Sequence, residues 1–536
     1  NRGGWDGSLV DGNNEPIIYE GQVVTVLAED GEFTSAFPAT IDGFTIQGGH
    51  QQGQPTNITQ TEINAPGLPD VTLIQGGGIW VNAYARYFQI LNNVVQSNGG
   101  SYAGAIRIGT PNVPEPLTDH QNDYVRIGYN RILANGGTNL AGAIGIFAGA
   151  ANYEIAYNDI CGNFGAEYGG GISHYGYSPN GSIHHNRVYF NRSYDEGGGI
   201  MIAGELPADF TQLSPGAGPV NVYANLIQAN LANDDGGGLR FLMAGDFTYN
   251  VYNNIIVNNV STHEGGGISI NDAPDVRVYN NTIMKNITTA TAMTSDGTAA
   301  PAGLSTSRNS NLLQATLPAG SPLYSNPLVF NNIFWDNRAG TRVGDGVAGI
   351  GLTGDPFPIF HWDLGVSDRS ANLAPTYSLL QVPSGSDDST NLVGQDPLVV
   401  ETHDVSVSLF AWRGNPNFVG ADIVSVDLPV GEMGDYHLTT GSPARNAGAA
   451  SQGGISAPNQ DYDRQPRPFQ GRYDIGADEI GATRSVEEFH DEIGGLAVRT
   501  GTPRFRAPSL PSARMSSVRL PHSAGSIAQP IRIQAG

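Results

Sequence analysis

Along most of this chain apolar residues fall at every second position, in runs only a few residues long, and the runs recur at matching offsets. Ile90, Ile127, Ile155, Ile183, Val222, Val251, Val278 and Val329 each stand three residues before an asparagine. Val95, Ile132, Ile160, Val188, Ile227, Ile256, Ile283 and Phe334 stand two residues after the same asparagines. A third set follows clustered glycines, as in Ile144/Ile146, Ile200/Ile202 and Ile268/Ile270. Alternation with period two marks half-buried strands, and no sustained 3.6-residue stripe competes with it.

The markers between these runs keep strict step. The first asparagines are Asn93, Asn130, Asn158, Asn186, Asn225, Asn254, Asn281 and Asn332, and another follows each by five residues: Asn98, Asn135, Asn163, Asn191, Asn230, Asn259, Asn286 and Asn337. A glycine triplet or its relative recurs at Gly76–Ile79, Gly169–Ile172, Gly197–Ile200, Gly236–Leu239 and Gly265–Ile268, with looser copies at 103–106, 141–144 and 302–304. Such internal self-similarity signals a solenoid. Three short strands per unit of about 28 residues, separated by Asn and Gly turns, predict an all-β, right-handed parallel β-helix. Equivalent residues on neighbouring coils then lie about 4.8 Å apart. Ile and Val form buried stacks, and asparagine amides bond to their counterparts above and below. Asparagine also tolerates the left-handed backbone of a turn, and glycine fits where the chain turns sharply or another backbone comes close.

The expected organisation is an N-terminal coil or cap region at 1–40, regular coils at 41–340, irregular coils and a closing segment at 341–480, and an extended tail at 481–536. Insertions at 110–122, 204–218 and 288–327 are expected to follow the glycine strand and so to share one side of the solenoid.

Charge refines this picture. The chain carries a formal charge of −24, which argues against nucleic-acid binding. Residues 493–536 hold six Arg and no Asp or Glu, so an acidic body bears a basic, Pro- and Ser-rich tail. The tail is expected to act in self-assembly or to meet a surface partner, alone or with the insertion loops. Cys161 is the single cysteine, which excludes an intramolecular disulfide framework. No apolar run is long enough for a transmembrane helix. The chain opens on Asn1 with a polar stretch unlike a signal peptide, so the expectation is a removed leader or a start within a larger precursor.

The pattern resembles the extracellular right-handed β-helix repeat proteins of bacteria, with repeats of the polymorphic outer-membrane-protein type. The resemblance spans roughly residues 40–480. "IDGFTIQGG" (41–49) is similar to an opening coil. "YSLLQ" (377–381), "DPLVV" (396–400) and "NPNFVG" (415–420) look like later coils. "GDYHLTTGSPARNAG" (434–448), followed by "DYDRQPRP" and "DIGADE" (474–479), closely resembles the closing segment. The resemblance implies a bacterial, extracellular or cell-surface location.

Candidate chemistry concentrates before the glycines. Glu196, Asp235 and Glu264 share one register, Asp195, Asp234 and His263 the preceding one, and Glu167 lies near the same place. Stacked carboxylates read either as solvated turn acids or as a cation site at Asp195, Glu196, Asp234, Asp235 and Glu264, with Ca2+ the ion that favours such oxygens. The outward residues of the glycine strands are Trp80, Arg107, Gly145, Ser173, Met201, Arg240 and Ser269, a mixed surface with no carboxylate cluster. No catalytic residue is assigned. His174 reads as a core histidine and Lys285, the single lysine, as solvated. Trp80, Tyr84, Tyr87, Tyr175 and Tyr177 either cover core edges or stack on sugars. The sequons at Asn57, Asn180, Asn191, Asn259, Asn280 and Asn286 fall mostly within the asparagine pattern itself. The function expected is a non-catalytic structural or adhesive rod. The competing classes are a polysaccharide lyase or glycoside hydrolase of the pectate-lyase-like kind, and a carbohydrate-binding protein without catalysis.

Overall fold

The computed structural model describes residues 22–482, apart from 27, 50–61, 64–70, 73–76, 112–118, 345, 387, 411–422 and 428–432. The basic tail, Asn57 and Gly76 therefore lie outside the described residues. The strands stack into long parallel sheets. A 10-stranded sheet of glycine strands runs from Val24–Val26 to Leu364–Val366. A 9-stranded sheet before the first asparagine runs from Thr40–Asp42 to Leu328–Phe330, and an 11-stranded sheet between the asparagines from Thr45–Gln47 to Leu392–Val393. The chain is a parallel β-helix.

Register follows the sequence pattern. Ile144 pairs with Ile172, Ile172 with Ile200, Ile200 with Leu239, and Leu239 with Ile268. Ile90, Ile127, Ile155, Ile183, Val222, Val251 and Val278 are fully buried in one of the inner stacks. Each such side chain contributes about 1.5–3 kcal/mol of burial, which no single coil could retain alone. An 8-stranded sheet of two-residue strands, from Gly99–Gly100 to Arg338–Ala339, adds a fourth side that the alternation is too short to reveal.

Both asparagine series are continuous ladders. The Asn225 amide donates to Asn254 Oδ1 at 3.0 Å and to the Ile183 carbonyl at 2.9 Å, while the Asn225 backbone N–H donates to the same Asn254 oxygen. The pattern repeats with offsets of 28 where coils are regular and 37, 39 or 51 where they carry insertions. The ladders end on other acceptors: Asn332 N–H donates to Ser378 Oγ, and Asn337 Nδ2 to Asp363 Oδ1.

The left-handed backbone falls one residue before each ladder asparagine, not on it. Tyr129, Ala134, Tyr157, His185, Phe190, Ala224, Ala229 and Lys285 all have φ between 51° and 60°. The asparagine behind them is held by its amide bonds, so the turn is forced onto whatever residue precedes it. A left-handed non-glycine costs roughly 1–2 kcal/mol, which the ladder offsets coil after coil. In the triplets, Gly197, Gly236 and Gly265 also have positive φ. Their followers have a different reason: a Cβ on Gly199 would lie 2.5 Å from the Gly238 carbonyl oxygen of the next coil.

Two features depart from the expected organisation. The 288–327 stretch is not one insertion after a glycine strand, because the glycine strand Leu304–Thr306 runs through it. Residues before that strand flank the acidic corner, where Thr294 Oγ1 donates to Asp234 Oδ1 at 2.6 Å. Those after it follow a glycine strand, as 204–218 does; residues 112–118 of the insertion at 110–122 lie outside the described residues. The second feature is the C-terminal region. Val399–Glu401 leaves the coil path and pairs antiparallel with Asp435–Leu438. Residues 434–480 then lie back along the outside of the sheet between the asparagines. Tyr436, Leu438, Ala444, Ile475 and Ala477 pack there on Ile255, Val257, Met284, Ile333 and Leu379. The acids of "DIGADE" hold this segment together. Asp474 accepts the Ile480 N–H at 2.7 Å, Asp478 accepts the Leu438 N–H at 2.8 Å, and Glu479 pairs with buried Arg467 at 3.0 Å.

Candidate functional site

The pre-glycine acids come together as their register requires. Backbone bonds link Asp234 to Asp195 and His263 to Asp234 across successive coils, and Gly197 and Gly236 N–H groups donate to the Asp235 and Glu264 carbonyls. Asp195, Glu196 and Asp234 each offer an oxygen within 4.8 Å of the others, and Asp234, Asp235 and His263 form a second such group. Glu167 sits one coil earlier, its carboxyl raised by burial.

The sequence pattern does not reveal the counter-charge. Arg240, an outward residue of the strand Leu239–Leu242, turns its guanidinium into the corner. Its Nε donates to Glu196 Oε2 at 2.7 Å, and its Nη2 lies 3.0 Å from Asp235 Oδ2. His263 Nδ1 lies 2.9 Å from Asp235 and 3.3 Å from Asp234. Burial opposes charge on His263, but Asp235, Asp234 and Glu264 outweigh it and raise the imidazolium to about 11. For Asp235, burial is likewise overcome, by Arg240 and then His263, and its carboxyl is lowered. Glu196 goes the other way: burial, reinforced by Asp235 and Asp234 against the pull of Arg240, pushes it to about 7. Burial and then Glu196, Asp234 and Glu167 raise Asp195 well above the usual carboxylate range. The corner is thus an internal ionic cluster in which Arg240 pairs with Glu196 and Asp235, His263 with Asp235 and Asp234, and Asp195 with neither. Arg240 could have been suspected from its place one strand residue after the acidic turn, five residues beyond Asp235.

The remaining candidates separate. Trp80, Arg107, Ser173, Met201, Arg240 and Ser269 are at most 3% exposed, so the outward side of the glycine strands is not the open mixed surface expected. Side chains from the turns and from the strand ends cover it: Met201 packs with Tyr102, Leu140, Phe147 and Tyr175, and Arg107 lies over the Tyr102 ring at 4.7 Å. His174 is a buried core histidine. Tyr153 OH meets its Nδ1 at 2.8 Å, the Gly176 carbonyl its Nε2 at 2.8 Å, and burial lowers it to about 4. Lys285 is not solvated: it is shared between Asp336 and Asp404 at 2.8 Å each. Tyr177 is exposed, and Tyr84 and Tyr87 are half-buried. The aromatic array lies elsewhere. His184, Tyr223, Tyr252, Tyr279 and Phe330 stack ring on ring at 4.6–5.2 Å, in the position two before the first asparagine. That repeat was visible in the sequence as a recurring aromatic at one offset. Among the described sequons, Asn191, Asn259, Asn280 and Asn286 are buried, and Asn180 is exposed.

No family model and no curated protein matches the chain. A solved structure described as the complex structure of XylC with xylose is similar over 75% of this chain and 65% of that one, at 13% identity and a TM-score of 0.35. The chain thus spans just under two thirds of that structure's length. So distant a likeness carries no functional argument, and the β-helix assignment rests on the sheet topology itself.

Proposed function

We propose that the chain is a non-catalytic β-helix scaffold of the extracellular bacterial repeat class, working at a cell surface in adhesion or as a subunit of an assembly. The observation that carries this reading is the state of the acidic corner. A general acid–base pair needs carboxylates facing a reacting atom. Here Glu196 and Asp235 are turned onto Arg240, and Asp234 and Asp235 onto His263. The asparagine ladders and aliphatic stacks of the described coils supply length and rigidity. The basic tail, outside the described residues, is the element we assign to assembly, through charge attraction to the acidic body.

Incubation with neutral and acidic polysaccharides, with detection of new reducing ends and unsaturated products, tests the reading. No product is expected, and steady release from any polymer would contradict it. For the tail, deletion of 493–536 is expected to reduce particle size at low salt; unchanged size at low and high salt would remove that role.

A second reading has one observation in its favour. The oxygens of Asp195, Glu196 and Asp234 lie close enough to share a divalent cation, and Asp195 among them is paired with neither Arg240 nor His263. A rise in melting temperature on calcium titration would support it, and no change would remove it.

A further inference from the structure

Where the chain segment 396–402 crosses the outside of the β-helix, it leaves a cleft of about 380 Å3. Lys285, Trp335 and Asp336 line one side, and Asp396, Leu398 and Glu401 the other. The volume lies within the ~300–1,000 Å3 usual for small-ligand sites. A smaller cleft of about 290 Å3 near Tyr324 and Asp275 offers less, since Asp275 is already paired with Arg277.

Three properties of the larger cleft define an occupant. Its aromatic member, Trp335, ends the strand Ile333–Trp335 half-buried, providing an indole surface beside polar groups. Leu398 is 43% exposed at its rim and held at φ +52°, outside the ladder corners, by Asp396, which accepts its N–H at 2.8 Å. Its charges are one-sided. Lys285 is divided between Asp336 and Asp404, and Arg338 spans the same two aspartates at 2.7 and 3.1 Å. Among the described residues, Asp396 and Glu401 meet no such cation in the cleft; Glu401 has His403 at 3.3 Å and a side chain 64% exposed. An anionic ligand would find Lys285, the cation of the lining, already engaged and the carboxylates of Asp336, Asp396 and Glu401 around it.

We infer that this cleft binds a saccharide that carries no acid groups, with a sugar ring laid on Trp335 and its hydroxyl or ammonium hydrogens donated to Asp396 and Glu401. An amine-bearing sugar binds more tightly than a neutral one, and a uronate most weakly. The inference goes beyond the scaffold reading and stands whether or not the chain cleaves anything.

The test is calorimetric titration of the full chain with hexamers of glucosamine, glucose and galacturonate. The expected order is glucosamine, glucose, galacturonate, the first step being up to about fivefold per ion pair. Trp335→Ala is expected to weaken the two former ligands by about tenfold or more. Glu401→Gln, at an exposed position, is expected to fold normally and to narrow the preference for glucosamine over glucose. Absence of saturable binding by the first two ligands, tightest binding of galacturonate, or an unchanged preference in Glu401→Gln would overturn the inference. Shortened oligosaccharides in the same mixtures would contradict the scaffold reading and leave the cleft's binding role intact.

Discussion

At its asparagine corners this molecule stacks one neutral amide on the next from coil to coil; at its glycine corner it stacks carboxylates. The spacing problem is the same, about 4.8 Å between equivalent residues. An amide carries both donor and acceptor, so it can pair with a copy of itself indefinitely. A carboxylate only accepts, so a stack of them needs positive charge from elsewhere. Arg240 reaches it from the adjacent strand, and His263 takes the place an aspartate holds on the two preceding coils. The first solution repeats and has no charge to titrate. The second is confined to a few coils and depends on pH.

The largest effect should come from breaking a ladder in mid-stack. Asn254→Ala removes the acceptor for two Asn225 donors and the donor that serves the Val222 and Tyr252 carbonyls and Asn281. With unsatisfied buried groups costing ~1–3 kcal/mol each, we expect a loss of about 4–6 kcal/mol in chemical denaturation. The loss should be the same at pH 5 and pH 8.

Arg240→Met should come next, at about 3–5 kcal/mol, because it strands buried Glu196 and leaves Asp235 to His263 alone. Unlike the ladder loss, it should shrink at low pH as the acids protonate. Glu196→Gln should be milder and should expose the sign of the corner's titration. The Glu196 carboxyl is raised, so its neutral form favours folding; that contribution is full below about 4.5 and fades as pH rises through about 7. Wild-type stability should therefore fall between those values more than that of Glu196→Gln, and a parallel pH dependence of the two proteins would refute the assignment. His263 acts in the same direction at higher pH, its stabilisation being full below about 6.5 and lost as pH rises through about 11.

The smallest effect probes the asparagine corner without touching an amide. Ala134 is exposed with φ +52°, so Ala134→Gly relieves backbone strain and should stabilise by about 0.5–1 kcal/mol in thermal or urea melts. A loss of similar size would show that the preceding residue is not the one under strain.

These contrasts also explain what could be read in advance. Periodic residues were legible because each coil repeats the same instruction: inward Ile and Val, two asparagines, clustered glycines. The left-handed position is hard to read because its identity varies: it is Asn at 92, 253, 258, 280 and 331, and Tyr, Ala, His, Phe, Lys, Ser, Asp or Gly on other coils. The acids at 195, 196, 234, 235 and 264 could be placed in one stack, but the reach of a single arginine from the next strand depends on a side-chain path no repeat encodes. The folding back of residues 434–480 left a faint trace. Outward positions after the first asparagine change from Arg131, Asp159 and Arg187 to Leu226, Ile255, Thr282 and Ile333, three of the four apolar, where a cover is needed. The cleft beside Trp335 had no trace, since its two sides are distant in sequence and meet only through that cover.

The central claim is that the glycine corner is balanced by the chain's own Arg240 and His263. Its most direct test is the melting temperature of wild type and Arg240→Met, each measured in EDTA and in calcium. The account predicts that wild type melts alike in both, and that Arg240→Met melts several degrees lower in EDTA. A wild type destabilised by EDTA, with Arg240→Met close to it in calcium, would contradict the account.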